Sequence, residues 1–230
     1  MSETKKTELS KNAMENTVSA ENQVTKYVKI YENGGSIRVL FIGNSITWHA
    51  PAKDIGWSGD WGMAASCKEN DYVHRTVAGL NKKFGKVDYC IAQLAPWERR
   101  YSEGETVLNE FYIPARDFAA DIIIVRIGEN IKIEDNKKIC CKPYYDAMIK
   151  YFAVKKNAKI IVTDNFWNIE MLNKIFKEVC DENEYTFCHL SDLERDERTM
   201  AKGLFEHKGV AVHPSDFGME CIANRILEKL

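Results

Sequence analysis

The chain has 230 residues, of which 45% are hydrophobic, and a formal net charge of -2, enough for one large domain or two small ones with a proper core. Its 32 basic and 34 acidic residues are interspersed, which leaves no cationic face or tail for nucleic acid. No stretch approaches the ~20 apolar residues of a membrane span, and the polar opening "MSETKKTELSKNAMENTVSAENQ" lacks the apolar centre of a secretory signal.

Residues 1–22 read as a polar, unstructured lead-in to a single domain over 23–230. A short helix is predicted over 23–33, turning at Asn33-Gly34-Gly35. The chain then alternates. "SIRVLFIG" (36–43) is a first strand, and a helical segment follows within 61–85. "KVDYCIAQL" (86–94) and "DIIIVRIG" (121–128) are the second and third strands. A helix over 142–157 carries Pro143 in its first turn, where the missing N–H costs nothing. Strand four is "AKIIVTDNF" (158–166), followed by a helix over 168–183, a short strand over 185–190 and a closing helix over 215–230. The strands are continuous apolar runs, as expected of a parallel sheet covered on both faces. The βα alternation therefore predicts a three-layer α/β/α sandwich of about five parallel strands.

The seven cysteines are odd in number and form no CxxC pair, which argues against a disulfide framework or a zinc ribbon. Cys90 and Cys188 sit in apolar runs as small core residues, and Cys140-Cys141 fall in a loop as free thiols. This pattern suits a reduced, cytoplasmic setting. Glu206-His207 lacks a third partner at metal-ligand spacing, so no metal is expected.

In an open α/β sheet the ligand site lies at the carboxyl ends of the strands. Three polar segments fall there: Gly43-Asn44-Ser45-Ile46-Thr47, Gly128-Glu129-Asn130, and His213-Pro214-Ser215-Asp216-Phe217-Gly218 ahead of the last helix. A serine at a strand-to-helix turn is exposed and its own N–H faces an incoming anion. An asparagine amide at a neighbouring strand end stabilises an oxyanion. A histidine takes the serine proton and returns it. His49 is a rival base four residues from Ser45, and Asp216 is most simply the cap of the last helix.

These three blocks, in this order and each at its strand or helix end, resemble the SGNH (GDSL-like) hydrolase family over about residues 30–230. "FIGNSIT" resembles the first block, with Ser45 as nucleophile and Asn44 in place of the usual aspartate. "RIGEN" resembles the third, with Asn130 as oxyanion donor, and "HPSDFGM" the last, with His213 as base. The resemblance implies a flavodoxin-like sandwich and an ester hydrolase without metal or organic cofactor. The chain departs from the family twice. The family's acid, three residues before the histidine, is here Val210. Either a main-chain carbonyl near Val210 orients the imidazole or Glu206 or Glu129 supplies charge, and a Ser45–His213 dyad on a carbonyl is the simplest expectation. The second block, which gives a glycine N–H to the oxyanion hole, reads "IAQLAPWERR" here. Trp97 is the expected replacement donor and Ala95 the alternative; Pro96 has no N–H. The hole would then comprise the N–H groups of Ser45 and Trp97 and the Asn130 side chain.

Five tryptophans follow strands one, two and four: Trp48, Trp57, Trp61, Trp97 and Trp167. Indole faces suit sugar rings, so these are candidate substrate-binding residues around a small acyl ester, acetyl first, on a carbohydrate. A lipid esterase or thioesterase on the same fold, and a sugar-binding homologue that lost its acid, are the competing expectations.

Overall fold

The computed structural model describes residues 26–230, so the lead-in over 1–22 lies outside the described residues. Six strands run β1 Val28–Tyr31, β2 Ile37–Gly43, β3 Val87–Gln93, β4 Ile122–Arg126, β5 Lys159–Thr163 and β6 Thr186–Cys188. They form one sheet in the order β1-β3-β2-β4-β5-β6. All pairings are parallel except β1 with β3. The five expected strands are therefore present, and a sixth joins them. It takes the place of the helix predicted over 23–33, of which residues 23–25 lie outside the description. Val28, Ile30 and Tyr31 are β-branched or aromatic residues that fit a pleated edge, and the open side of β3 supplies the hydrogen bonds.

The helices are α1 Tyr72–Phe84, α2 Ala95–Arg100, α3 Glu105–Phe111, α4 Ile113–Asp117, α5 Ile133–Lys138, α6 Lys142–Phe152, α7 Glu170–Asn183, α8 Lys208–Ala211 and α9 Asp216–Leu227. The four long ones match the expected helices with shorter ends. α2 to α5 have only 5–7 residues, too few to show a helical period in the sequence. None of these helices is long and apolar enough to cross a membrane.

Successive residues of a strand point to opposite faces, and β2 shows the consequence. Leu40 and Ile42 enter a core shared with Trp97, Tyr112, Tyr145, Phe152 and Phe176. Val39 and Phe41 enter a second core with Tyr72, Leu80, Ile222 and Ile226. Helices α2–α4, α6 and α7 cover the first face, and α1 and α9 the second, which makes three layers. From β2 the chain moves to β3 on one side and later to β4 on the other. The carboxyl ends of β2, β3 and β4 therefore flank a topological switch point, where a crevice opens.

Candidate active site

The end of β2 holds up Ser45. Asn44 O accepts the N–H groups of Thr47 at 2.9 Å and Trp48 at 3.0 Å, and this curls the chain back at once. A Cβ on Gly43 would stand 1.6 Å from Thr47 Oγ1, so only glycine lets the turn close. Thr47 Oγ1 is fixed in turn by Tyr72 OH at 2.8 Å. Ser45 is left half-buried at the bottom of a cleft of about 420 Å³.

His213 arrives from the segment between α8 and α9. Its main chain is pinned by Ala201 N–H to His213 O, 2.9 Å, and by Ser215 N–H to Thr199 O, 2.9 Å. Ser45 Oγ lies 2.8 Å from Nε2, and Nδ1 lies 2.7 Å from the Gly209 carbonyl oxygen. A carbonyl only accepts, so Nδ1 carries the hydrogen and Nε2 of the neutral ring presents its lone pair to the serine hydroxyl. Burial pushes the His213 imidazole down to about 4, against the opposing pull of the Gly209 carbonyl. The Trp167 ring stands edge-on to the imidazole, with centroids 5.3 Å apart.

Among the described residues no carboxylate touches Nδ1. Glu206 is exposed on a neighbouring groove, and Glu129 is engaged elsewhere. Val210 is fully buried against Trp57, Met63, Ala64 and Ala201. Of the alternatives left by the sequence, the carbonyl is the one in place. His49 lines the cleft, but its Nδ1 is bound to Ala50 O at 2.6 Å, and no bond joins it to Ser45.

Asn130 also lines the cleft. One hydrogen of its side-chain amide goes to Glu98 Oε2, which leaves the other free. Ser45 N–H donates to no described residue. Trp97 is not on the cleft wall. α2 starts at Ala95 and winds Trp97 onto the core face, where its indole is fully buried. Ala95 does line the cleft, but its N–H donates to Gln93 Oε1 at 3.1 Å.

Beneath the cleft floor lies a buried polar network that the sequence reading did not anticipate. Glu98 accepts Gly128 N–H at 2.7 Å, Asn130 N–H at 3.2 Å and the Asn44 amide at 3.2 Å, besides the Asn130 side chain. Glu129 accepts Arg126 at 2.6 Å, the Asn44 amide at 2.6 Å and Phe166 N–H at 3.1 Å. Arg126 also donates to Asn44 Oδ1. Burial and the neighbouring Glu129 raise the Glu98 carboxyl. Burial, the largest single influence, opposes ionisation of Glu129, yet Arg126 together with the bonds from the Asn44 amide and Phe166 N–H outweighs it and holds that carboxyl below its ordinary range. Asn44, in the position of the family's aspartate, thus ties the Ser45 turn to the Asn130 loop. Gly128 (φ +147) permits the sharp bend there, since a Cβ would stand 2.5 Å from Asn165 Oδ1.

None of the five tryptophans expected to bind substrate is in the cleft lining, and Trp167 is the one that stands against a cleft residue, His213. Trp48 donates to Asp60 at 2.7 Å, Trp57 to His49 O at 3.1 Å and Trp61 to Ala65 O at 2.8 Å. Each N–H is consumed in holding the loop after β2. The walls are formed by Tyr27, Ile55, Met63, Gln93, Arg99 and His207. Asp216 is not the cap of α9 either. Ser215 Oγ accepts Gly218 N–H at 3.2 Å, and Asp216 reaches across to Ser66 and Asn70. Among the described residues no group of three His, Cys, Asp or Glu side chains is placed to hold a metal ion.

No protein-family model matches the sequence, and no curated protein matches it. Solved structures do match in fold. A protein described as a GDSL-like lipase from Parabacteroides merdae superposes with a TM-score of 0.57 at 16% identity, over 85% of this chain and 95% of that one. An active-site mutant of a family two carbohydrate esterase from Clostridium thermocellum superposes with a TM-score of 0.55 at 13% identity, over 85% of this chain and 63% of the other. LAE5, an alpha/beta hydrolase enzyme from the metagenome of Lake Arreo, gives a TM-score of 0.52 at 16% identity, over 85% and 95%.

Proposed function

We propose that this chain puts the SGNH/GDSL-like hydrolase fold, which it shares with those neighbours, to use as a serine ester hydrolase. One observation carries the reading: Ser45 Oγ stands 2.8 Å from the unprotonated nitrogen of an imidazole whose other nitrogen is tied to Gly209 O. In the first half-reaction Ser45 Oγ attacks the ester carbonyl carbon and its proton passes to His213 Nε2. The carbonyl oxygen gains negative charge and is met by Ser45 N–H and the free amide hydrogen of Asn130. The imidazolium returns the proton to the leaving alcohol as the C–O bond breaks, which leaves an acyl-serine. Water repeats the sequence, with His213 as base, to release the acid.

The Gly209 carbonyl holds the tautomer that a triad acid would hold, but it brings a dipole rather than a full charge. It therefore steadies the transient imidazolium less than a carboxylate would. A cleft of about 420 Å³ lined by Gln93, His49, Asn130 and His207 supports a small acyl ester, acetyl first, on a hydroxyl-rich alcohol such as a sugar. Tyr27 is the aromatic surface available to it.

The test is hydrolysis of p-nitrophenyl acetate by wild type and Ser45→Ala, with trapping of the acyl-enzyme by mass spectrometry. A rate that disappears in Ser45→Ala, with one acetyl group on Ser45 of the wild type, is expected. Equal rates in the two proteins would refute the reading.

A further inference from the structure

The cleft has an electrical sign. Among the described residues no carboxylate lines it, and the only side chain in its wall with a permanent charge is Arg99. His49, His207 and His213 complete the ionisable set apart from Tyr27, and none of the three contributes negative charge. The chain as a whole is slightly acidic, so the cationic wall is a local property.

Arg99 belongs to the run Glu98-Arg99-Arg100, and its neighbours have different fates. Glu98 turns inward and is fully consumed under Asn130. Arg100 is held by Glu103 at 2.7 Å and Glu110 at 3.1 Å. Arg99 is exposed, at the lip shared by the catalytic cleft and a second groove that also contains Asn130. It makes no ion pair or side-chain hydrogen bond among the described residues. Most other arginines of the chain are paired: Arg75, Arg116, Arg126, Arg198 and Arg225 each have a carboxylate within 4.0 Å. The second groove carries Lys132 with the carboxylates of Asp135 and Glu129, the latter bound to Arg126, and so adds no net positive charge of its own.

A guanidinium is a planar fork that matches a carboxylate in two parallel hydrogen bonds. Exposed at the lip of the cleft, it stays screened by solvent, so its contribution lies in orienting an anion and depends on salt. We propose that Arg99 is an anion-recognition residue and that the substrate is an ester carrying a carboxylate within reach of the scissile bond. This rests on the ester-hydrolase reading above and deepens it from "small acyl ester" to "acidic ester". The carboxylate sits either on the alcohol half, as in an acetylated hydroxy acid or acidic sugar, or on the acyl half, as in a half-ester of a dicarboxylic acid. The chemistry Arg99 reads is the same in both.

Two matched substrate pairs separate the sources. 4-Acetoxybenzoate against its methyl ester places the charge on the alcohol half. Mono-p-nitrophenyl adipate against its methyl ester places it on the acyl half. The wild type is expected to show kcat/KM at least ~10-fold higher for the charged member of one pair, and that preference should shrink as salt is raised. In Arg99→Gln the ratio should collapse towards one, mainly through KM, and Arg99→Lys should keep part of it. Arg195→Gln, at an exposed arginine elsewhere on the surface, should keep the wild-type ratio. If p-nitrophenyl acetate is turned over but neither pair shows a preference, or the preference survives Arg99→Gln, the anion proposal falls and the esterase reading stands. If p-nitrophenyl acetate is not turned over, both fall.

Discussion

A histidine buried without a carboxylate has a measurable signature in acid. Burial pushes His213 down to about 4, and Arg126 and His49 push the same way while Gly209 O and Glu129 oppose them. The base works only when neutral, so kcat/KM should fall as pH drops through about 4 and not near the 6.5 of a free imidazole. At pH 5 about 0.9 of the enzyme would then be competent, against about 0.03 for an unperturbed histidine, roughly a 30-fold difference. The same shift links to stability. The unfolded chain takes up a proton near pH 6.5 and the native state does not until about 4, so the native state binds fewer protons between those values. Stability is fully present above pH 6.5 and declines as pH falls through that window, by roughly 3 kcal/mol in total. The assay is kcat/KM for p-nitrophenyl acetate from pH 3.5 to 8, paired with urea unfolding of wild type and His213→Gln at pH 7.5 and 4.5. The wild type should lose more stability than His213→Gln between the two pH values. An acid limb at pH 6.5 or above, or identical losses in the two proteins, would refute the account of a desolvated imidazole on a carbonyl.

Three substitutions probe the rest of the site. Asn130→Ala should lower kcat by ~10²–10³-fold with the fold intact, the usual cost of one oxyanion donor; a change below threefold would remove Asn130 from the hole. Glu98→Gln puts an amide NH2 among groups that all donate to that position. It should lower kcat ~10-fold or more and stability by about 1–3 kcal/mol, read by steady-state kinetics and thermal melts, and an unaltered kcat would show that Asn130 does not need its buried partner. Val210→Asp, which rewrites the sequence towards the family's acid, buries a carboxylate among Trp57, Met63, Ala64 and Ala201. It should cost about 3 kcal/mol or more without raising kcat, because Gly209 O already occupies Nδ1; a faster, equally stable variant would overturn this.

The sequence alone carried the five parallel strands and the pair, Ser45 and His213, proposed as catalytic. Short apolar runs rich in Val and Ile, such as Val39–Ile42 and Ile122–Val125, suit strands buried on both faces, and in a parallel sheet the polar residues that end such runs gather at one edge. That is why Ser45, Asn130 and His213 were legible from 85 and 83 positions apart. It even left room for the main-chain carbonyl that holds His213, because an absent acid at Val210 requires some other acceptor. Tertiary structure decided what local pattern does not encode. The strand Val28–Tyr31 exists because β3 had an open edge. Trp48, Trp57 and Trp61 are drawn into the loop after β2 because their N–H groups found Asp60 and main-chain carbonyls there. Glu98, Arg99 and Arg100 are three consecutive charges in one short helix. Which of them is buried under Asn130, which faces the cleft and which is neutralised at the surface depends on what lies across from each. A sequence fixes the charge of a side chain, but desolvation and pairing, which set what that charge can do, exist only once distant segments have met.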